Sequence, residues 1–235
     1  MTTRKYAEIP YQFMEIKQPD SDYLLIPATS SENRRYIPIG FVEKNVIANN
    51  AASFVPNASL YHFGILTSSV HMAWMRAVCG RLEMRYRYSN TIVYNNFPWP
   101  FSEKQTDLFV PNGTHTKAKN VSSEQIRLSK NNKHPDMSAS TAPHPNAKNV
   151  NSEQIRLLKT KIEHTAQKIL DARAKYPDSS LADLYDETVM PPELRKAHQE
   201  NDRAVMQAYG FTPKMTESEI VAELFKIYER LTKGE

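Results

Sequence analysis

Nine consecutive residues place the strongest constraint on the fold. Arg81-Leu82-Glu83-Met84-Arg85-Tyr86-Arg87-Tyr88-Ser89 alternates charged or polar side chains with Leu, Met and Tyr. That alternation has the period of a strand and not of a helix. A strand over 81–89 turns Arg81, Glu83, Arg85, Arg87 and Ser89 to one face and Leu82, Met84, Tyr86 and Tyr88 to the other. The second face needs a core beneath it, and the first is left to solvent or a ligand. Arginine matches the paired acceptors of guanine, and a carboxylate accepts from the cytosine amino group, so such a face has the chemistry to read a base pair. An exposed Glu–Arg pair is otherwise only a weakly stabilising surface feature. The reading moves toward DNA recognition because Arg76, Arg81, Arg85 and Arg87 fall within twelve residues and interleaved tyrosines hold the opposite face.

The charge distribution agrees in sign. The net charge of +4 over 235 residues is mild. Residues 1–100 carry ten Lys or Arg against seven Asp or Glu, 101–150 seven against four, and 151–235 thirteen against fifteen. The basic excess thus sits in the first two thirds, and the tail is slightly acidic. A single cysteine, Cys79, excludes an intramolecular disulfide, and its setting in Ala77-Val78-Cys79-Gly80 reads as a core thiol at a helix end. No Cys/His set has zinc-ligand spacing. No apolar run reaches the ~20 residues of a membrane span, and Met1-Thr2-Thr3-Arg4-Lys5-Tyr6 lacks the apolar centre of a signal peptide. The default compartment is the cytoplasm.

Three regions differ in character, and together they predict an α+β chain: a small mixed α/β recognition domain over 1–101, a polar linker over 102–150, and a helical bundle over 151–235. In the first, Tyr23–Pro27, Tyr36–Val42 and Asn45–Ala48 read as strands, with Pro38 marking an edge or bulge. Residues 49–53 read as a polar loop. A helix is expected from about Ile65 to Val78, ended by a left-handed cap at Gly80. The prolines of Asn95-Asn96-Phe97-Pro98-Trp99-Pro100 require an extended connector that packs Phe97 and Trp99. The middle region is rich in Asn, Ser, Thr, Lys and Pro and contains a two-copy repeat, with Ala118–Leu128 returning as Ala147–Leu157. Two copies are too few for a solenoid. Beyond it, Asn151 or Ser152 caps a helix that stops before Pro177, Ser180–Tyr185 is a short helical turn, and a helix runs from Pro191-Pro192 to Gly210. Thr216 and Glu219 form a capping box for a last helix that buries Ile220, Leu224, Ile227, Tyr228 and Leu231.

Enzymatic signatures are lacking in the sequence. None of the six glycines forms a phosphate cradle, and there is neither a P-loop nor a G-x-S-x-G elbow. Asn95–Pro100 lacks the consecutive prolines with which amino-methyltransferases hold a flipped base, so a rigid connector is the better reading. His62 and His71 read as structural or exposed histidines, with His71 and Arg76 alternatively near a DNA phosphate.

Several segments in order carry a resemblance. They are Asn33–Gly40, Tyr61–Ser68, His71–Trp74, Arg81–Ser89, Asn95–Pro100, Ala172–Pro177, Leu181–Asp186 and Met190–His198. Together, over 23–100 and 152–231, the chain resembles the carboxy-terminal part of MmeI-like DNA methyltransferases, large bacterial proteins that combine restriction with adenine-N6 methylation. The resemblance implies a target recognition domain and a helical domain without the upstream catalytic domain, hence a non-enzymatic fragment. S-adenosylmethionine and magnesium are implied for the full-length family and no cofactor for this part. It further implies that Glu83 with Arg85 sets one base pair and that Ala51 with Arg87 sets a second; Ala51 enters only through the resemblance. Asn50, in the same loop, is a further base-contact candidate. Arg34, Arg35, Lys44, Arg76 and Arg81 are candidates for phosphate contacts, which position without specifying. The expected partners are double-stranded DNA and an upstream methyltransferase domain or subunit. The alternative is a protein-interaction module whose acidic tail docks on a separate methyltransferase subunit.

Overall fold

The computed structural model describes residues 19–101 and 152–233. The expectations for the amino terminus, the repeat-containing linker and the Asn151 cap lie outside them. The described residues begin with strands and end with helices, the mixed α/β arrangement expected. β1 (Tyr23–Pro27) is the centre of an antiparallel sheet, with β3 (Gly40–Val42) on one side and β4 (Ala52–Pro56) on the other. Flanked on both edges, β1 can carry a nearly continuous apolar run, and Tyr23, Leu24 and Ile26 are all fully buried. A second antiparallel sheet has the order β2–β6–β5, formed by β2 (Thr29–Ser30), β6 (Arg85–Arg87) and β5 (Gly80–Leu82).

Four local expectations need correction. The strand expected over Tyr36–Val42 is shorter, beginning only at Gly40; Tyr36, Ile37 and Ile39 are buried without strand pairing. Asn45–Ala48 is a turn with Val46 and Ile47 exposed, and the sheet's third strand is β4, whose start was read as loop. The helix expected over 65–78 is two helices, α1 (Leu60–Leu66) and α2 (Ser69–Val78). The break has a visible cause. Thr67 Oγ1 donates to the Phe63 carbonyl at 2.8 Å and Ser68 Oγ to the Ile65 carbonyl at 2.7 Å, while Ser68 Oγ accepts from the His71 amide and caps α2. Gly80 takes no left-handed cap. Cys79 ends α2 in extended conformation and Gly80 starts β5 directly.

The tail helices are α3 (Ser152–Ala174), α4 (Leu181–Leu184), α5 (Pro192–Tyr209) and α6 (Glu217–Lys233). Pro192 and the left-handed Gly210 (φ 72°) bound α5 as expected. At α6, Glu219 Oε2 accepts from the Thr216 amide at 2.7 Å, completing the capping box. These helices close around α1 and α2, so strands and helices share one hydrophobic core. α3 buries Ile162, Thr165, Ala166, Ile169 and Ala172, and α6 packs Phe225 and Tyr228 against Trp74 of α2. Leu231, expected inside, is 52% exposed, one turn beyond Tyr228, which packs on Trp74.

Two adjacent buried residues of α5 fasten the halves together. Asn201 Nδ2 donates to the Gly64 carbonyl at 2.7 Å. Asp202 accepts from the Tyr36 hydroxyl and the Ser69 amide, both at 2.7 Å. Phe97 and Trp99 are buried as the connector reading requires, Phe97 edge-on to His71 at 4.5 Å between centroids. Neither ring is available to hold a flipped base.

Candidate nucleic-acid interface

The alternating nine-residue segment is a β-hairpin and not one strand. Leu82 pairs with Arg85, Arg81 with Tyr86 and Gly80 with Arg87, leaving Glu83 and Met84 as a two-residue turn. Glu83 has φ 56° and Met84 is not left-handed, so the positive φ falls on the first central residue of the turn. That position usually takes glycine. With a glutamate there, and no Gly, Asn, Asp or Pro in the segment, the sequence offers no turn signal. Pairing of β6 with both β5 and β2 imposes the reversal.

The hairpin corrects the two-face reading in part. Tyr86 and Tyr88 point inward and are 8% and 4% exposed. Leu82 and Met84, expected inward, are exposed at the tip. Arg81, Glu83, Arg85 and Arg87 are all exposed. Arg85 Nη2 donates to Glu83 Oε2 at 2.7 Å, with both side chains at least half exposed. The Arg81 guanidinium lies over the Tyr86 ring, 4.0 Å from its centroid, and its Nη1 donates to the Met84 carbonyl at 3.0 Å. Arg81 therefore anchors the tip to the buried tyrosine layer. Tyr88 is fixed from below by a 2.9 Å hydrogen bond to His71 Nε2.

Ala51 lies beside this hairpin through one backbone junction. The Ala28 amide donates to the Ala51 carbonyl, and the Ala28 carbonyl accepts from the Tyr88 amide, each at 2.9 Å. Pro27 pairs with Ala52 on one side of Ala28, and Thr29 pairs with Arg87 on the other. The turn carrying Asn50 and Ala51 is thereby held next to Arg87. Asn49 Oδ1 accepts from the Ala51 amide at 2.9 Å and shapes that turn, in which Asn50 and Ala51 are exposed. Ala28 was not singled out by sequence reasoning, and a small residue between two short strands gives no signal that it joins two sheets.

The remaining cations lie elsewhere. Arg34, Arg35 and Arg76 line a separate cleft of about 550 Å³ with Arg203, Asp202 and Glu217. Arg76 makes a two-pronged ion pair with Glu217 at 2.7 and 2.8 Å, and Arg34 Nη2 donates to the Ala182 carbonyl at 3.3 Å. Lys44 sits in the loop after β3, its amide bonded to Asp22. His71 cannot meet a phosphate, since it is fully buried. Burial also holds its pKa down to about 3, so it stays neutral. The Cys79 thiol is only half-buried, and burial pushes its pKa up, away from nucleophilic character.

Two short antiparallel sheets that expose a charged hairpin and a neighbouring turn, backed by helices, define a recognition module. Its family follows from two matches. Residues 1–101 match the MmeI target recognition domain and residues 157–234 match the MmeI C-terminal domain. The chain belongs to the MmeI family. It is similar to DNA methyltransferase A of Bacillus subtilis (strain 168), 29% identical over 231 residues, which is 98% of this chain and 20% of that protein. It is also similar to the solved structure of the Type IIL restriction-modification enzyme MmeI in complex with DNA, with a TM-score of 0.70 and 41% identity, covering 99% of this chain and 24% of that one. The chain thus spans between a fifth and a quarter of the length of these relatives.

Proposed function

We propose that this chain reads a DNA sequence on behalf of an adenine-N6 methyltransferase with restriction activity, through base edges in the major groove. The observation that carries the reading is the hairpin tip, where an exposed Glu83–Arg85 pair projects from a buried tyrosine layer with Arg81 and Arg87 beside it. In this reading Arg85 donates two hydrogen bonds to guanine and Glu83 accepts from a cytosine amino group, each such contact discriminating by about 1–3 kcal/mol. Arg87 and the Asn50–Ala51 turn, held together by Ala28, read a second base pair. Of the phosphate candidates, Lys44 is proposed for a register-setting contact; Arg81 is engaged at the tip with Tyr86 and the Met84 carbonyl, and Arg34, Arg35 and Arg76 line the separate cleft, so they are not assigned to this face.

Catalysis belongs to another part of the full-length protein in this proposal, as do S-adenosylmethionine and magnesium. Among the described residues no group of three His, Cys, Asp or Glu side chains is placed to hold a metal ion, and no chemical step is assigned to them. No helix among the described residues is long and apolar enough to cross a membrane; the proposed partner is double-stranded DNA in the cytoplasm.

Duplex binding by this chain across a salt series tests the reading. Phosphate neutralisation predicts that log K falls with log salt by about 0.9 for each phosphate contacted. Binding that is insensitive to salt, or confined to a methyltransferase subunit with no affinity for DNA, would contradict it and favour the protein-interaction alternative.

A further inference from the structure

Met84 is the most open of the large apolar side chains among the described residues, at 70% exposure, and Leu82 beside it is 43% exposed. Both sit at the hairpin tip: Met84 between Glu83 and Arg85 in the chain, Leu82 paired directly opposite Arg85. The tip is not a loose apolar loop. Its backbone is pinned by the Arg81–Met84 carbonyl hydrogen bond, and Arg81 is laid on Tyr86. Met84 stands in the chain between the two residues proposed to meet base edges, and it is exposed beside them. A thioether side chain gains nothing from phosphate. The apolar feature that the major groove presents is the 5-methyl group of thymine.

We propose that Met84, with Leu82 behind it, is a specificity-determining residue that contacts the methyl group of a thymine adjacent to the base pair read by Glu83 and Arg85. This rests on the DNA-recognition reading. It adds a contact that selects by shape and hydrophobicity next to one that selects by hydrogen bonds. Methionine suits the role because its unbranched chain adapts to the step it meets.

The experiment uses this whole chain to enrich duplexes from a randomised pool, then replaces each thymine of the enriched site with deoxyuridine, which removes only the methyl group. One replacement should weaken binding about fourfold, the worth of one buried methyl. Met84→Ala should bind thymine and deoxyuridine duplexes equally, and Met84→Leu should restore much of the difference. Because Met84 is exposed, these variants keep the fold. Enrichment of a site in which no deoxyuridine weakens binding, or in which Met84→Ala remains equally sensitive, overturns this inference while leaving DNA recognition standing. Failure to enrich any sequence overturns both.

Discussion

The side-chain amide of Asn201 in α5 donates to the backbone carbonyl of Gly64 in α1 at 2.7 Å, across 137 residues of chain. The same side chain accepts from Thr165 Oγ1 of α3 at 3.0 Å, so one buried amide ties together three helices that lie behind the recognition sheets. Asn201→Leu leaves the Gly64 carbonyl short of its donor, while the Thr165 hydroxyl can turn to the Lys161 and Ile162 carbonyls of its own helix. It should lower unfolding free energy by about 2–3 kcal/mol, measured by urea denaturation. A loss below about 0.5 kcal/mol would show that the contact does not hold the halves together.

Gly64 is required by close approach and not by backbone conformation. A Cβ there would stand 2.6 Å from Ile162 Cγ2 and 3.2 Å from Ala166 Cβ. Gly64→Ala should therefore cost about 1–3 kcal/mol, despite the higher helix propensity of alanine. Ile162→Ala removes the clashing atom, so the double variant should be more stable than the sum of the two losses predicts. Strict additivity would contradict the packing account.

Two buried histidines make stability depend on pH. Burial holds His71 down to about 3, and burial with the nearby Arg173 charge holds His198 well below the ordinary range. Below pH ~6.5 the unfolded chain takes up a proton at each, while the folded protein does not. Stability is therefore fully present above that pH and is lost as pH falls toward the folded values, by about 1.4 kcal/mol per pH unit per histidine. Burial raises the Asp202 carboxyl, which works in the opposite sense. Melting temperature should fall between pH 7.5 and 5.5, and the fall should be shallower in His71→Gln. A flat profile in both proteins would refute the assignment.

Glu83 occupies a left-handed turn position that favours glycine, and its ion pair with Arg85 is exposed. Glu83→Gly removes the backbone strain, gains chain entropy in the unfolded state and loses a weak surface pair. It should change stability by less than about 1 kcal/mol either way. Base discrimination should nevertheless relax at one position of the bound site. A variant that is stable and still discriminates fully would remove Glu83 from the reading surface.

What the sequence revealed depended on where each residue finds its partners. Tyr86 and Tyr88 were legible as buried because period-two alternation survives on the β6 side of the hairpin. The bounds of α5 and the Thr216–Glu219 box were legible because caps are local. The turn at Glu83–Met84 was not, since β2 and β5 impose it on residues without turn chemistry. Thr67 and Ser68 did carry a signal, two adjacent hydroxyls able to take helix carbonyls, but apolar spacing on either side masked it. Asn201 and Asp202 carry no local sign of burial, because Gly64, Tyr36 and Ser69 lie more than 130 residues away. At the interface, Glu83, Arg85 and Arg87 follow from charge and spacing. The placement of Ala51 beside Arg87 depends on Ala28, which no local pattern marks.

The central claim is that the hairpin tip reads one base pair through Glu83 and Arg85. Exchanging their chemistry, Glu83→Lys with Arg85→Asp, in a protein that joins this chain to the methyltransferase domain proposed for it, and mapping methylated sites across a genome, tests it directly. The account predicts that the recognised sequence changes at a single position and is otherwise retained. An unchanged site, or an active enzyme with relaxed selection at every position, would contradict it.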